Sequence, residues 1–265
     1  MPTGIADLTG MRAFVTGAGT AGGMGATIAE VLARQGAAVA LGDLDLERTG
    51  EVARAIEDVE TIGVELDVGS PSSVTAAFAT VLREWSRVDI LVNNAGIAAG
   101  PGSTESEWEK TLNVNLMGVV RCCNAVLPPM KKRGYGKIVN LASISGHASR
   151  GTSGPYATSK GALLRYTKGL AVEVAPFSVN VNAVCPGAVW TGMQSRPFEH
   201  PEQVDARLTG LDPYNAFLEY YRPLTPLGRP QSADDVGKAV AFLCSDDAAN
   251  ITGQCLHVDG GAVIS

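Results

Sequence analysis

The chain predicts an α/β fold: one doubly wound parallel sheet of about seven strands, with helices on both faces, in a single domain spanning residues 1–265. Two observations carry this. Short, nearly all-apolar segments alternate with stretches of helical period, as when a parallel sheet is covered by helices on both sides. The residues with chemical potential (Gly17, Asp43, Asp67, Asn93, Ser143, Pro186) fall just past the ends of those apolar segments. Ligands bind along that carboxyl edge in doubly wound sheets.

The first unit is the most specific. Residues 11–16 (MRAFVT) form an apolar strand that runs into the glycine-rich loop 17–25, and helical spacing follows through Ile28, Val31 and Leu32 to Gly36. A second strand, 37–41, leads to Asp43. A glycine turn between strand and helix lets the backbone approach a pyrophosphate at the helix N-terminus, and an acid after the second strand can hold ribose hydroxyls. Taken alone, a glycine cluster is also a flexible turn.

The alternation continues with a helix at 46–57, a strand at 61–66 ending in Asp67-Val68, a helix at 72–85, and a strand at 88–92 ending in Asn93-Asn94-Ala95-Gly96. Thr104 to Glu107 reads as a capping box opening a long helix that carries Asn113 and Asn115. Lys131, Lys132 and Arg133 close it before Gly134, where cations complement the helix dipole. A buried strand at 137–141 leads to Ser143, and the Gly154-Pro155 pair opens the next helix. Strands at 179–184 and 254–258, with a helix at 232–243 between them, complete the pattern.

Tyr156 and Lys160 lie four apart on the helix after Ser143, so they share one face. An ammonium one turn away favours the phenolate, and a tuned phenol can exchange a proton with an alcohol or carbonyl. The Ser143 hydroxyl can hold the same oxygen. The spacing by itself is also that of many solvated helix faces.

Composition narrows the classes. Hydrophobic content of 45% with 18% charged residues is that of a globular chain, and 21 basic against 27 acidic residues give −6. The one basic cluster closes a helix, which argues against a nucleic-acid partner. The five cysteines show no metal-ligand or disulfide spacing, so no metal is expected and a reducing compartment is. Residues 1–10 lack the pattern of a signal peptide and no apolar run approaches membrane-spanning length, so the expected location is cytoplasmic, with no membrane partner.

With these motifs assembled, the chain closely resembles the compact, single-domain branch of the short-chain dehydrogenase/reductase family, whose sheet is Rossmann-type. The resemblance runs through Thr16-Gly17, Asp43, Asp67-Val68, Asn93 to Gly96, Asn115, Ser143, Tyr156-x-x-x-Lys160, Pro186-Gly187 with Thr191, and Pro226 to Arg229, and ends with Asp259-Gly-Gly. It implies a catalytic set of Asn115, Ser143, Tyr156 and Lys160. Tyr156 would be the acid/base, Ser143 the holder of the substrate oxygen, and Asn115 the anchor of a water linked to Lys160. It implies NAD contacts at Gly17, Gly19, Gly23, Met24, Gly25, Asp43, Asp67, Val68, Asn93, Ala95 and Gly96. Further contacts would come from Tyr156, Lys160, Pro186, Gly187, Val189 and Thr191.

The glycine loop departs from the family spacing by two extra residues, and Gly19-x-x-x-Gly23-x-Gly25 restores it. The resemblance also implies a homotetramer paired through helices at 104–130 and 154–174, whose Val119, Cys122, Val126, Leu163, Leu170 and Val174 are apolar. Residues 192–222 read as a substrate lid. Its aromatics, with Trp190 and His147, suit an apolar or cyclic alcohol or ketone if they line the pocket, and a packed interior if they do not. The expected activity is hydride transfer between NAD(H) and such a substrate. Alternatives are reduction of 3-oxoacyl thioesters, or a non-catalytic dinucleotide-binding regulatory role.

Overall fold

A computed structural model describes residues 6–147 and 153–264. Seven strands form one all-parallel sheet in the order β3-β2-β1-β4-β5-β6-β7. In chain order the first half is β1 (Arg12–Thr16), α1 (Met24–Arg34), β2 (Ala38–Asp43), α2 (Leu46–Ala55), β3 (Thr61–Glu65), α3 (Pro71–Trp85), β4 (Ile90–Asn93) and α4 (Glu105–Leu112). Then come α5 (Val119–Arg133), β5 (Gly136–Leu141), α6 (Pro155–Val174) and β6 (Val179–Pro186). Short helices α7 (Gly192–Ser195) and α8 (Pro201–Val204) precede α9 (Pro213–Tyr221), α10 (Ala233–Cys244) and β7 (Cys255–Val258).

Alternation along the strands builds two cores. Phe14, Leu91, Ile138 and Val181 point to the face covered by α3, α5 and α6. Their neighbours Ala13, Val15, Ile90, Val92 and Val139 point to the face covered by α1 and α10. The six apolar residues expected to pair subunits all lie in the first of these cores. They are covered by the chain's own sheet and helices, so they carry no argument for a second subunit.

Buried polar groups lock this packing. Asn93 Nδ2 donates to Asn140 Oδ1 at 2.8 Å, Asn140 Nδ2 donates to Thr167 Oγ1 at 2.9 Å, and Thr167 Oγ1 donates to the Leu163 carbonyl. This chain of bonds pins α6 to the sheet from below.

The predicted capping box at Thr104 is present, but the long helix behind it is not uniform. Residues Asn113–Gly118 form a π-helical segment between α4 and α5. The wider turn there lets Arg121 reach the Asn113 carbonyl and side chain and the Val68 carbonyl. Arg48 pairs with Asp45 at 3.3 Å. Asp45 caps α2 and lies on the side of the helix that Arg48 can reach.

The 192–222 segment is largely helical, with a small core of its own. Phe198 and Phe217 are buried there with Leu208 and Ala216, and Trp190, Tyr220 and Tyr221 pack around them. Among the described residues, no helix is long and apolar enough to cross a membrane.

Candidate active site

Strand order reverses between β1 and β4, and that opens the crevice in which the site is built. Asn94 straps its two sides together. Its Nδ2 donates to the Thr16 carbonyl at 2.9 Å and the Gly17 carbonyl at 2.8 Å, and its own amide donates to Thr16 Oγ1 at 3.1 Å. Gly17 adopts φ +68° against Ala95, where a side chain would strike the Ala95 backbone. Gly25 faces the Gly17 carbonyl so closely that a Cβ would collide with it.

In the lengthened glycine loop the later glycines open the helix. Gly23 stands at the N-cap of α1, with Met24 and Gly25 as the first helical residues. The α1 helix has no side-chain cap and no acid in its first turn. Its orphan amides and dipole suit an anion. Gly19 closes the loop from the other side: its amide donates to Asp43 Oδ2 at 2.7 Å, and Leu44 N donates to Oδ1 at 2.8 Å. A nicotinamide dinucleotide, which the resemblance implies, fits this donor set: an uncapped helix end for the diphosphate and an acid beside it for a ribose.

The chemical groups converge at the other end of the cleft. Ser143, Tyr156, Lys160, Pro186, Gly187, Val189 and Thr191 line one cavity, together with Met24, Asn94 and Gly96. Ser143 Oγ accepts from the Ser145 amide at 3.1 Å, and the Ser143 and Tyr156 side chains line the same cavity. Lys160 is buried under the sheet edge, where Nζ donates to the Leu141 carbonyl at 2.6 Å and lies 5.6 Å from the Tyr156 ring centre. Burial pushes Lys160 down to about 8. Burial also raises Tyr156, and the Ser143 hydroxyl only partly offsets it. In the protein alone desolvation of the phenolate therefore sets the direction of the shift.

Asn93, Asn115, Asp67 and Val68 lie outside the lining of this cavity. Asn93 turns its side chain into the buried network below the sheet, and its neighbour Asn94 lines the cleft. Alternation explains this: consecutive residues at a strand end face opposite ways. Asn115 is fully occupied, with Nδ2 on the Ile97 carbonyl and Ser159 Oγ and Oδ1 on the Ile97 amide, so its side chain ties backbone. Asp67 is exposed beyond β3, where its carboxylate accepts from the Gly69 amide. Val68 is buried against Gly118. Neither lines the catalytic cavity.

The aromatics of the lid, and Trp190 with them, face their own core. Of them only Tyr221 reaches the cavity, beside Met193 and Gln194. His147 is also outside it, and residues 148–152 of the intervening loop lie outside the described residues. Sequence reasoning missed Asn94, Ile144, Ser145, Met193 and Gln194 as lining residues; only Asn94 carried a signal, in the Asn-Asn-Ala-Gly run.

Residues 17–263 match a family profile described as enoyl-(acyl carrier protein) reductase. The chain is 36% identical over 251 residues to cyclopentanol dehydrogenase of Comamonas, covering 92% of this chain and 94% of that one. The chain belongs to the short-chain dehydrogenase/reductase family. This dehydrogenase/reductase is also 36% identical to a 3-oxoacyl-[acyl-carrier-protein] reductase of Aquifex aeolicus over 260 residues, 96% of this chain and 98% of the relative. Its fold matches the NAD+-bound xylitol dehydrogenase structure with a TM-score of 0.85 at 30% identity, covering 96% of this chain and 99% of that one.

Proposed function

We propose that this enzyme transfers a hydride between NAD(H) and a neutral secondary alcohol or its ketone, with Tyr156 as the general acid/base. The observation that carries the reading is the joining of Ser143, Tyr156 and Lys160 at one cavity that runs toward the glycine loop. The dinucleotide supplies the hydride acceptor or donor when bound. Tyr156 Oη takes the alcohol proton in oxidation and returns it in reduction, while Ser143 Oγ orients the same substrate oxygen. The Lys160 ammonium, one helical turn away, favours the phenolate as the site closes over, and it is positioned to meet a ribose. Asn115 holds Ile97 and Ser159 in place around that lysine.

Gly17, Gly19, Gly23, Met24 and Gly25 are assigned to the diphosphate and Asp43 to the adenosine ribose. Asp67 and Val68 are assigned to the adenine side, and Ala95 and Gly96 to the middle of the cofactor. Pro186, Gly187, Val189 and Thr191 take the nicotinamide. Preference for NAD over NADP rests on Asp43, whose carboxylate would face a 2′-phosphate.

A neutral and mainly apolar substrate, cyclic ones included, is favoured by the lining. Ile144, Ala188, Val189, Met193 and Tyr221 surround the catalytic groups, and among the described residues Lys160 is the single charged side chain in the lining. This support replaces the lid aromatics, which are spent on their own core. A homotetramer in the cytoplasm completes the proposal.

A second reading, reduction of a 3-oxoacyl thioester, is favoured by the likeness to the 3-oxoacyl-[acyl-carrier-protein] reductase of Aquifex aeolicus. A screen of cyclic and linear secondary alcohols with NAD+ and with NADP+, read at the reduced nicotinamide band, separates the two. Turnover of cyclic alcohols with NAD+ is expected. Turnover only of acyl thioesters with NADPH would overturn the proposal, and no turnover alongside tight dinucleotide binding would favour a regulatory role.

A further inference from the structure

Behind the catalytic edge lies a cluster that the hydride chemistry does not use. His147, Cys185 and His257 bring one ligand atom each to within 4.8 Å of one another. They come from three places: the turn after β5, the end of β6, and β7. Strand register puts Cys185 directly beside His257 on neighbouring parallel strands, and Cys255 stands two residues back on the same face. Cys255 itself stands outside the trio of mutually close ligand atoms. Two of the chain's three histidines and one of its five cysteines thus share one spot.

Packing alone accounts for this poorly. The two imidazoles meet edge to face with ring centres 4.6 Å apart, an ordinary aromatic contact. Yet His257 Nε2 is buried with no hydrogen-bond partner among the described residues. A buried, unpaired ring nitrogen is costly and calls for an acceptor, a donor or an ion. Cys185 is fully buried beside it, while His147 is exposed and leaves a way in.

We propose that His147, Cys185 and His257 form a binding site for a divalent cation of the Zn2+ class, with solvent in the fourth position. Mixed imidazole and thiolate donors select such borderline-soft ions over Mg2+ or Ca2+. Around a tetrahedral ion, donor atoms stand roughly 3.4–3.8 Å apart, given bonds of about 2.0–2.3 Å. Small side-chain rotations of the two histidines, one of them at the end of a turn, close the remaining gap. Two ligands sit on paired strands, so most of the site is already rigid. On binding, the Cys185 thiol loses its proton to solvent and the ion takes the thiolate, so affinity falls in acid.

Titration of the full chain with Co2+, under anaerobic conditions and a phosphine reductant, tests this. One equivalent per chain should give tetrahedral cobalt bands and a thiolate-to-cobalt charge-transfer band, both removed by added Zn2+. His147→Ala and His257→Ala should each weaken binding at least tenfold, whereas His200→Ala, which alters the remaining histidine, should not. Zn2+ should raise the melting temperature of the wild type and leave that of His257→Ala unchanged. His147 is exposed, so its replacement leaves the core untouched and that variant reports even if the others fold poorly. Absence of saturable binding, undiminished binding by either histidine variant, or a charge-transfer band at full intensity in Cys185→Ala would overturn the proposal.

Discussion

At Tyr156, burial and a neighbouring hydroxyl pull in opposite directions. Its hydroxyl is raised by burial and drawn back by Ser143, and Lys160 beneath it has been pushed down to about 8. Tyr156→Phe should therefore lower kcat by roughly 10²–10⁴-fold, while dinucleotide affinity, measured by fluorescence titration, stays near that of the wild type. Near-normal turnover would rule this mechanism out. Lys160 makes a separate prediction about stability. An unfolded lysine keeps its proton to about 10.5, whereas the folded one releases it near 8, so the unfolded chain binds more protons between those values. Stability should rise with pH across that window, and the cost of burying the ammonium should be fully present below it. Melting curves of wild type and Lys160→Met from pH 7.5 to 10.5 should converge or cross as pH rises; parallel curves would contradict the assignment. Asp43 sets the third expectation. Two unit charges about 4 Å apart cost roughly 4 kcal/mol at an effective dielectric near 20, and half of that still gives about a thirtyfold preference. Asp43 also holds the Gly19 amide, so Asp43→Ala combined with Leu44→Arg should weaken NAD binding and narrow or reverse the NAD/NADP ratio of kcat/KM. An unchanged ratio would show that the carboxylate serves the loop alone.

At the level of elements, two features decide how firmly the site is held. The first is the Asn93–Asn140–Thr167 chain between β4, β5 and α6, which is fully buried. Asn140→Leu takes away the oxygen partner of the Asn93 amide and leaves the Thr167 hydroxyl only its bond to the Leu163 carbonyl, and an unsatisfied buried group costs about 1–3 kcal/mol. Because α6 carries both Tyr156 and Lys160, the denaturation midpoint and kcat should fall together in this variant. A loss of stability with kcat intact would mean that α6 is held by its apolar face instead. The second is the lid, which has its own core around Phe198 and Phe217. A satellite core can open without unfolding the sheet. Phe217→Ala should leave the main melting transition nearly unchanged while raising KM and exposing 192–222 to limited proteolysis.

Over the whole molecule, the sheet leaves β7 as an edge strand of four residues, with Leu256 partly exposed. An unpaired edge is a place for another chain to add. Val172 on α6, at 77% exposure, is a second apolar point with no cover within the chain. The proposed tetramer should use these surfaces rather than the interior faces of α5 and α6. Light scattering at micromolar concentration should return the tetramer mass, and Val172→Glu with Leu256→Lys should lower it. A monomer in the wild type would refute the assembly.

Much of this was legible in the sequence, because it depends on local pattern. Apolar strands alternating with helices dictated a parallel sheet, and parallel strands force crossovers that bring every carboxyl end to one edge. Gly17, Asp43, Ser143 and the Tyr156–Lys160 pair could therefore be assigned to one cleft from order alone. Strand ends could not be read to a single residue, and a shift of one exchanges the faces: Asn94 lines the cleft and Asn93 does not. The lid aromatics were visible but not their direction, since an apolar ring serves a pocket or a core equally well and only packing chooses. The pull on the Tyr156 phenol was likewise decided by burial, which no spacing reports. The same holds for His147, Cys185 and His257. They are far apart in the chain and show no ligand spacing, and they meet only because β5, β6 and β7 lie side by side.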